Sequence, residues 1–168
     1  IFGSASRKNK IKHKIISDRI EAGTYLIAAL MLAKKIVLKS INPKLIRTEI
    51  QILRKIGAKI ITSKNSIIVF KSKKLKKVNI STKPFPGFPT DLQAQLMVLM
   101  TQANGLSKIK ENIFENRFMH VPELRRMGAK IEIKNKTAFV YGPTNLNGAE
   151  VMATDLRASV SLVLAGLI

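Results

Sequence analysis

Apolar residues in this chain follow two alternating spacings, one typical of helices and one typical of short strands. The run after Ser17 and the stretches 44–56 and 90–103 repeat apolar residues every three or four positions, which predicts helices with a buried face. Short β-branched segments between them predict strands. The predicted helices are 17–33, 44–56, 90–103, a short one that Pro122 opens and Gly128 ends, and one that starts at Thr154; the predicted strands are 35–39, 58–62, 66–70, 78–81, 106–113, 129–133 and 137–141.

The predicted elements repeat along the chain. The sequence Gly-Ala-Lys-Ile at 57–60 returns at 128–131, 71 residues later (128 − 57). Each unit is predicted to contain helix, strand, helix, strand and strand, and the third unit stops after its first helix. Because this period is longer than that of ordinary solenoids, we expect each copy to be a small α/β subdomain that shares one core with the others. The long helices are too apolar for a surface layer, so we expect them between the sheets.

The chain has three aspartates, and each follows a Ser or Thr at the start of a predicted helix. A Ser or Thr at this position accepts a hydrogen bond from a backbone N–H group, and an Asp just inside meets the positive end of the helix dipole. Helix capping alone is therefore one interpretation of every site. Asp91 has more around it, because three prolines stiffen the preceding loop and Thr90 and Gln93 have the spacing of a capping box.

Charge and composition restrict the kinds of partner. Thirty Lys and Arg against ten Asp and Glu give a net charge of +20, which favours polyanionic or phosphate-bearing partners. Aromatic residues make up only 5% and neither Trp nor Cys occurs, so nucleic acid is not the favoured partner, and no zinc finger, thiolate metal site, disulfide or cofactor is predicted. The longest apolar runs are far shorter than the roughly 20 residues of a membrane helix. No membrane partner and a cytoplasmic location are predicted.

Four motifs together resemble a known family. They are DRIEAGTYL (18–26), PFPGFPTDLQAQ (84–95), IFENRFMHVPELRRMGA (113–129) and VMATDLRAS (151–159), and they closely resemble UDP-N-acetylglucosamine enolpyruvyl transferases. The resemblance implies an inside-out α/β barrel built from repeated βαβαββ-like units with buried helices. It runs from about Ser17 to the end of the chain, so residues 1–16 are predicted to be a linker or the end of a preceding domain, and 17–168 a truncated transferase domain.

The resemblance also implies a reaction and the residues that take part in it. Enolpyruvyl would pass from phosphoenolpyruvate to the 3-hydroxyl of UDP-N-acetylglucosamine in the first committed step of peptidoglycan synthesis, and phosphate would leave. Asp91 matches the family's proposed general base, which is chemically reasonable because a sugar hydroxyl needs a carboxylate to take its proton. The other positions that match substrate-binding residues are Ile113, through its backbone, Phe114 beside the uracil, and Arg117, Asp155 and Arg157 in the cleft. For the two arginines, structural ion pairing is the alternative interpretation, and His120 is expected to be a packing residue.

The chain also departs from the family. The family's proton donor is a Cys on the opposing domain, and neither it nor the phosphate-binding arginines have a counterpart here. The segment is therefore expected to be inactive without the remainder of the parent enzyme. The alternatives are a 5-enolpyruvylshikimate-3-phosphate synthase-like transferase, which has the same chemistry and another acceptor, and a non-catalytic basic remnant that binds polyanions.

Overall fold

The computed structural model describes residues 12–72, 74–153 and 155–168, so most of the predicted linker, as well as Thr154, lies outside the described residues. The helices are α1 (Arg19–Met31), α2 (Arg47–Ile56), α3 (Gln93–Thr101), α4 (Val121–Arg126) and α5 (Leu156–Gly166). The strands are β1 (Lys35–Lys39), β2 (Lys59–Thr62), β3 (Ser66–Phe70), β4 (Asn79–Ser81), β5 (Gly105–Lys110), β6 (Lys130–Lys134) and β7 (Thr137–Gly142). Every predicted helix and strand is confirmed, with boundaries that differ by a few residues.

The strands form two sheets that share one topology. The first has the order β1-β3-β2 and the second the order β4-β5-β7-β6, with β4 added parallel to β5. The other neighbouring strands are antiparallel, and the pairing register recurs after 71 residues (141 − 70). The corresponding pairs are Lys35 and Lys59 with Phe70, and Leu106 and Lys130 with Tyr141.

A glycine ends the second helix of each repeat, as predicted. Gly57 follows α2 with φ 110°, and Gly128 follows α4 with φ 96°. A Cβ atom is strained in this left-handed region, so glycine is the residue of choice where a helix ends this way. A Cβ on Gly57 would also lie 2.8 Å from the carbonyl oxygen of Lys74. The repeated Gly-Ala-Lys-Ile sequence is therefore the end of a helix followed directly by a strand.

Helix α3 lies at the centre of the molecule. All of its residues, Gln93–Thr101, are buried, and it packs against α1, α5 and the second sheet. This confirms for α3 the expectation that the long apolar helices are buried, whereas α1 and α5 keep exposed residues such as Tyr25 and Val163. Truncating a leucine in such a core costs about 2–5 kcal/mol. Among the described residues, no helix is both long and apolar enough to cross a membrane.

Two predicted elements differ from the structure close to the candidate site. The helix expected at 90–103 begins with a 3₁₀ turn at Thr90–Leu92 and becomes α-helical only at Gln93. The strand expected at 106–113 ends at Lys110, because the chain turns at Glu111 toward donors on neighbouring segments. Both changes occur where Asp91 and Ile113 lie.

Gly142→Ala is expected to destabilise the protein by at least about 2 kcal/mol, the range of overpacked cores. A Cβ atom at Gly142 would lie 2.3 Å from the carbonyl oxygen of Ala103 and 2.6 Å from that of Met100, and backbone cannot move aside as a side chain can. Urea unfolding of the variant measures the loss. Gly148→Ala is the matched control, because nothing lies within 4 Å of its added Cβ; equal stability of the two variants would contradict the packing described.

Candidate active site

Asp91 is held by two arginines from distant parts of the chain. Arg117 donates from Nη2 to Asp91 Oδ1 at 2.8 Å, and Arg157 donates from Nε to the same oxygen. Within the described ranges no residue donates to the second carboxylate oxygen, Oδ2. The Asp91 side chain is 33% exposed. One oxygen is thus fixed by guanidinium groups while the other is available to a ligand.

The other two aspartates have a different task, because they are the N-caps of their helices. Asp18 Oδ1 accepts from the N–H groups of Ile20 and Glu21 at 2.7 and 3.1 Å. Asp155 Oδ1 accepts from those of Arg157 and Ala158 at 2.7 and 3.0 Å. The expectation that a preceding Ser or Thr would be the cap is wrong at Asp18, where Ser17 donates to the carbonyl oxygen of Ser40 instead.

The predicted capping box at Thr90 and Gln93 is also wrong. The Thr90 hydroxyl donates to Glu111 Oε2 at 2.9 Å, and no side chain caps the 3₁₀ turn or α3. The Gln93 side chain is buried, and its amide has no hydrogen-bond partner among the described residues. Asp91 lies inside the 3₁₀ turn, and not at an N-cap position as Asp18 and Asp155 do.

Phe114, which follows Ile113 in the loop after β5, is joined to Asp91 through Arg117. The Arg117 guanidinium carbon lies 4.9 Å from the centre of the Phe114 ring, a cation–π distance. The side chains remain partly exposed, with residue exposures of 37% for Ile113 and 51% for Phe114. Arg117 therefore links the loop to the carboxylate of Asp91.

Asp155 and His120 lie close to this cluster, and the pKa values of both are lowered. Hydrogen bonding from the Ala158 N–H is the main cause that lowers the pKa of Asp155 below 3.8, against the effect of its partial burial. His120 is 2% exposed, and burial is the main cause that lowers its pKa to about 4. At neutral pH His120 is an uncharged residue packed beside Phe118, as expected from the sequence.

A cavity of about 620 Å³ borders Asp91 and Arg157, between α1, α3 and α5. Its walls are largely apolar, and its polar side chains include Thr24 and Gln95, which share a hydrogen bond of 3.3 Å. Apolar walls lower the local dielectric constant and so strengthen electrostatic interactions at Asp91. Among the described residues, no group of three or more His, Asp or Glu could hold a metal ion.

Sequence reasoning missed Glu111, which is 1% exposed and accepts four hydrogen bonds. Strand alternation carried the signal, because Ser107, Ile109 and Glu111 occupy every second position and are all buried. A carboxyl group on the inward face of a strand needs donors from elsewhere. The need of an inward-facing Glu111 for such donors was the signal in the sequence that could have indicated its role.

Comparison with solved structures identifies the class of protein. The fold matches that of the enolpyruvyl transferase NikO from Streptomyces tendae, with a TM-score of 0.83, 28% identity, and 91% of this chain and 37% of that chain covered. It also matches EPSP synthase from Acinetobacter baumannii with a TM-score of 0.69, 21% identity, and coverage of 91% of this chain and 39% of that one, a likeness of fold alone. The predicted α/β fold of the enolpyruvyl transferase type is confirmed.

The chain belongs to the EPSP synthase (3-phosphoshikimate 1-carboxyvinyltransferase) family, which it matches over residues 1–168. It is 58% identical to the UDP-N-acetylglucosamine 1-carboxyvinyltransferase of Pelagibacter ubique (strain HTCC1062), over 94% of this chain and 38% of that relative. The protein of the same name from Histophilus somni (strain 129Pt) is 54% identical over 94% of this chain and 37% of the relative. The resemblance inferred from the motifs is confirmed, and the chain spans about 38% of the length of such relatives.

Asp155→Ala is expected to lower the free energy of unfolding by about 1 kcal/mol at neutral pH, because it removes the N-cap of α5. Since the pKa of Asp155 in the folded protein lies below its ordinary value of 3.8, the carboxylate stabilises the fold fully above that pH and loses its effect as pH falls through the lower folded value. Urea unfolding at stepwise lower pH measures both effects.

The exposed residue Glu150 provides the control for this experiment. Glu150→Ala is expected to change the unfolding free energy by less than about 0.5 kcal/mol. A difference between the wild type and Asp155→Ala that stays constant down to the lowest pH would contradict the capping role of the ionised carboxylate.

Proposed function

We propose that this chain is part of an enzyme that transfers enolpyruvyl from phosphoenolpyruvate to the 3-hydroxyl of UDP-N-acetylglucosamine and releases phosphate. The step belongs to peptidoglycan synthesis, and we propose a cytoplasmic location for it. Identities of 49–58% to enzymes named for this acceptor support the assignment. The observation that carries it is Asp91, which does not cap its helix although Asp18 and Asp155 do.

Asp91 is proposed as the general base for the acceptor hydroxyl. Two guanidinium groups hold Oδ1, so Oδ2 has a defined direction and needs no reorganisation when a hydroxyl binds. As the hydroxyl oxygen attacks the enolpyruvyl carbon, its proton would pass to Oδ2. A positioned acid or base contributes about 10²–10⁴ to the rate of such a step.

The residues around Asp91 are proposed to hold the nucleotide sugar. Ile113 would contact it through the backbone, and Phe114 would present the exposed side of its ring to the uracil. Arg117 and Arg157 orient Asp91 and lie where they can also meet substrate oxygens. Asp155 would contribute its second oxygen to the cleft, since Oδ1 is used for capping.

The rest of the proposed reaction needs groups from the remainder of the parent enzyme. Phosphoenolpyruvate must be bound, and its methylene carbon must gain a proton in the addition and lose one again as phosphate leaves; this chain has no Cys for the family's usual proton donor. The net charge of +20 suits two phosphate-bearing substrates. We propose residues 17–168 as the part of the transferase domain that carries the acceptor side of the cleft, and residues 1–16 as the segment leading into it.

Asp91→Asn in the full-length enzyme is expected to lower kcat by at least about 100-fold, because an amide cannot accept the hydroxyl proton. Phosphate release with UDP-N-acetylglucosamine and phosphoenolpyruvate measures the rate. The control is Glu132→Gln, which removes a carboxylate from an exposed position of β6 and should leave kcat unchanged. An Asp91→Asn enzyme with wild-type kcat would contradict the general-base role.

The choice of acceptor is tested in the same assay with shikimate 3-phosphate in place of the nucleotide sugar. We expect phosphate release only with UDP-N-acetylglucosamine. The synthase-like alternative has support at the family level only, since the Acinetobacter baumannii EPSP synthase is 21% identical. Phosphate release with shikimate 3-phosphate as the acceptor, and none with UDP-N-acetylglucosamine, would establish that alternative instead.

Residues 1–168 by themselves are expected to show no turnover. The two substrates must be positioned together in a cleft closed from water, and this chain provides only one of its sides. Purified chain and full-length enzyme are compared for phosphate release at equal concentration. Substrate-dependent release by the isolated chain, above a blank without enzyme, would show that the opposing side is not needed.

A further inference from the structure

The carboxyl group of Glu111 connects the two loops that carry the candidate site. Its Oε2 accepts from the Thr90 hydroxyl at 2.9 Å, next to Asp91. Its Oε1 accepts from the N–H groups of Ile113 at 2.8 Å and Phe114 at 3.3 Å, and from the Thr82 hydroxyl at 2.8 Å. The residue is 1% exposed, and no cation pairs with it among the described residues.

A second route joins the same loops at the surface. Phe114 lies under the Arg117 guanidinium, which donates to Asp91. The Asp91 turn and the Ile113–Phe114 loop are therefore linked twice, by a buried carboxyl group and by an exposed cation–π contact. The link through Glu111 is better shielded from water, because Glu111 is 1% exposed whereas Phe114 is 51% exposed.

The first repeat shows that the fold itself does not need this carboxyl group. Ser17 precedes Asp18 as Thr90 precedes Asp91, and Ser40 follows β1 as Glu111 follows β5. There the connection is a single exposed hydrogen bond of 2.6 Å, from the Ser17 hydroxyl to the Ser40 carbonyl oxygen. Of the two repeats described, only the second has a buried carboxyl group with four donors. This is also the repeat whose aspartate, Asp91, does not cap its helix.

We propose that Glu111 is a positioning residue that couples the Asp91 turn to the Ile113–Phe114 loop and turns the loop so that its carbonyl groups face the ligand. The orientation of the loop follows from its hydrogen bonds. The N–H groups of Ile113 and Phe114 already donate to Glu111, so the carbonyl groups are the ones left for a ligand. A ligand that binds the Ile113 backbone must then be a donor, such as a hydroxyl or amide N–H of the sugar. The identity of the ligand in this inference rests on the proposed function. The coupling between the two loops can be measured without any substrate.

Kinetics of the full-length enzyme separate the two contacts that Glu111 makes, the hydrogen bond from Thr90 and the hydrogen bonds from the Ile113–Phe114 loop. Thr90→Val removes only the bond next to Asp91, and we expect kcat to fall about tenfold while KM for UDP-N-acetylglucosamine stays within about twofold. Glu111→Ala removes both contacts. We expect it to lower kcat by about tenfold or more and also to raise this KM by about tenfold or more. Glu111→Gln should recover most of both values, because its amide oxygen can serve the loop while its NH₂ group donates to Thr90.

Ser107→Ala is the matched control. Ser107 lies on the same buried face of β5, and its hydroxyl donates to Met100 Sδ and accepts from the Val78 N–H, neither of which belongs to the candidate site. It should lower stability with kcat and KM near wild type. If Ser107→Ala and Glu111→Ala change kcat and KM alike, or if Thr90→Val leaves kcat unchanged, the positioning role is wrong.

Amide hydrogen exchange tests the coupling independently of the acceptor. In Glu111→Ala, the N–H groups of Ile113 and Phe114 should exchange at least about tenfold faster, and in Ser107→Ala they should not. Unchanged exchange in Glu111→Ala would overturn the inference even if the wild type is an active transferase. An inactive wild type with the expected exchange would instead overturn the proposed function and leave the coupling standing.

Discussion

The hydrogen-bond partners of one carboxylate, that of Asp91, distinguish the candidate active site. An aspartate at the start of a helix normally turns back to accept the helix's first N–H groups, and Asp18 and Asp155 do so. Asp91 instead accepts from Arg117 and Arg157, at the entry to the fully buried helix α3. The two guanidinium groups carry full positive charges, whereas the first N–H groups of a helix carry only partial ones, which explains why the carboxylate stays with the arginines.

The repeat acts as an internal comparison between what the fold needs and what the site adds. Both sheets have the same register, and both second helices end at a glycine with positive φ, so these features belong to the architecture. The 3₁₀ turn before α3 and the buried Glu111 occur in the second repeat at positions where the first has a capping aspartate and a serine. The differences between the copies lie at the place where the chemistry is proposed.

The sequence was a good guide to local structure and a poorer guide to side-chain partners. Helix ends at Gly57 and Gly128 follow from local backbone preferences, so spacing alone located them. All three aspartates have the same local signature, and which of them caps a helix depends on donors 26 and 66 residues away from Asp91. The capping-box prediction for Thr90 failed for the same reason, because Glu111, 21 residues away, takes its hydroxyl. The site residues themselves came from the family resemblance.

The distance from Asp91 Oδ2 to the 3-hydroxyl oxygen, in a crystal structure of the full-length enzyme with UDP-N-acetylglucosamine, tests the central claim most directly. We expect a separation of about 2.6–3.2 Å, the reach of a general base, with Oδ1 still held by both arginines. A carboxylate that has turned to cap α3, with the sugar hydroxyl out of its reach, would contradict the account.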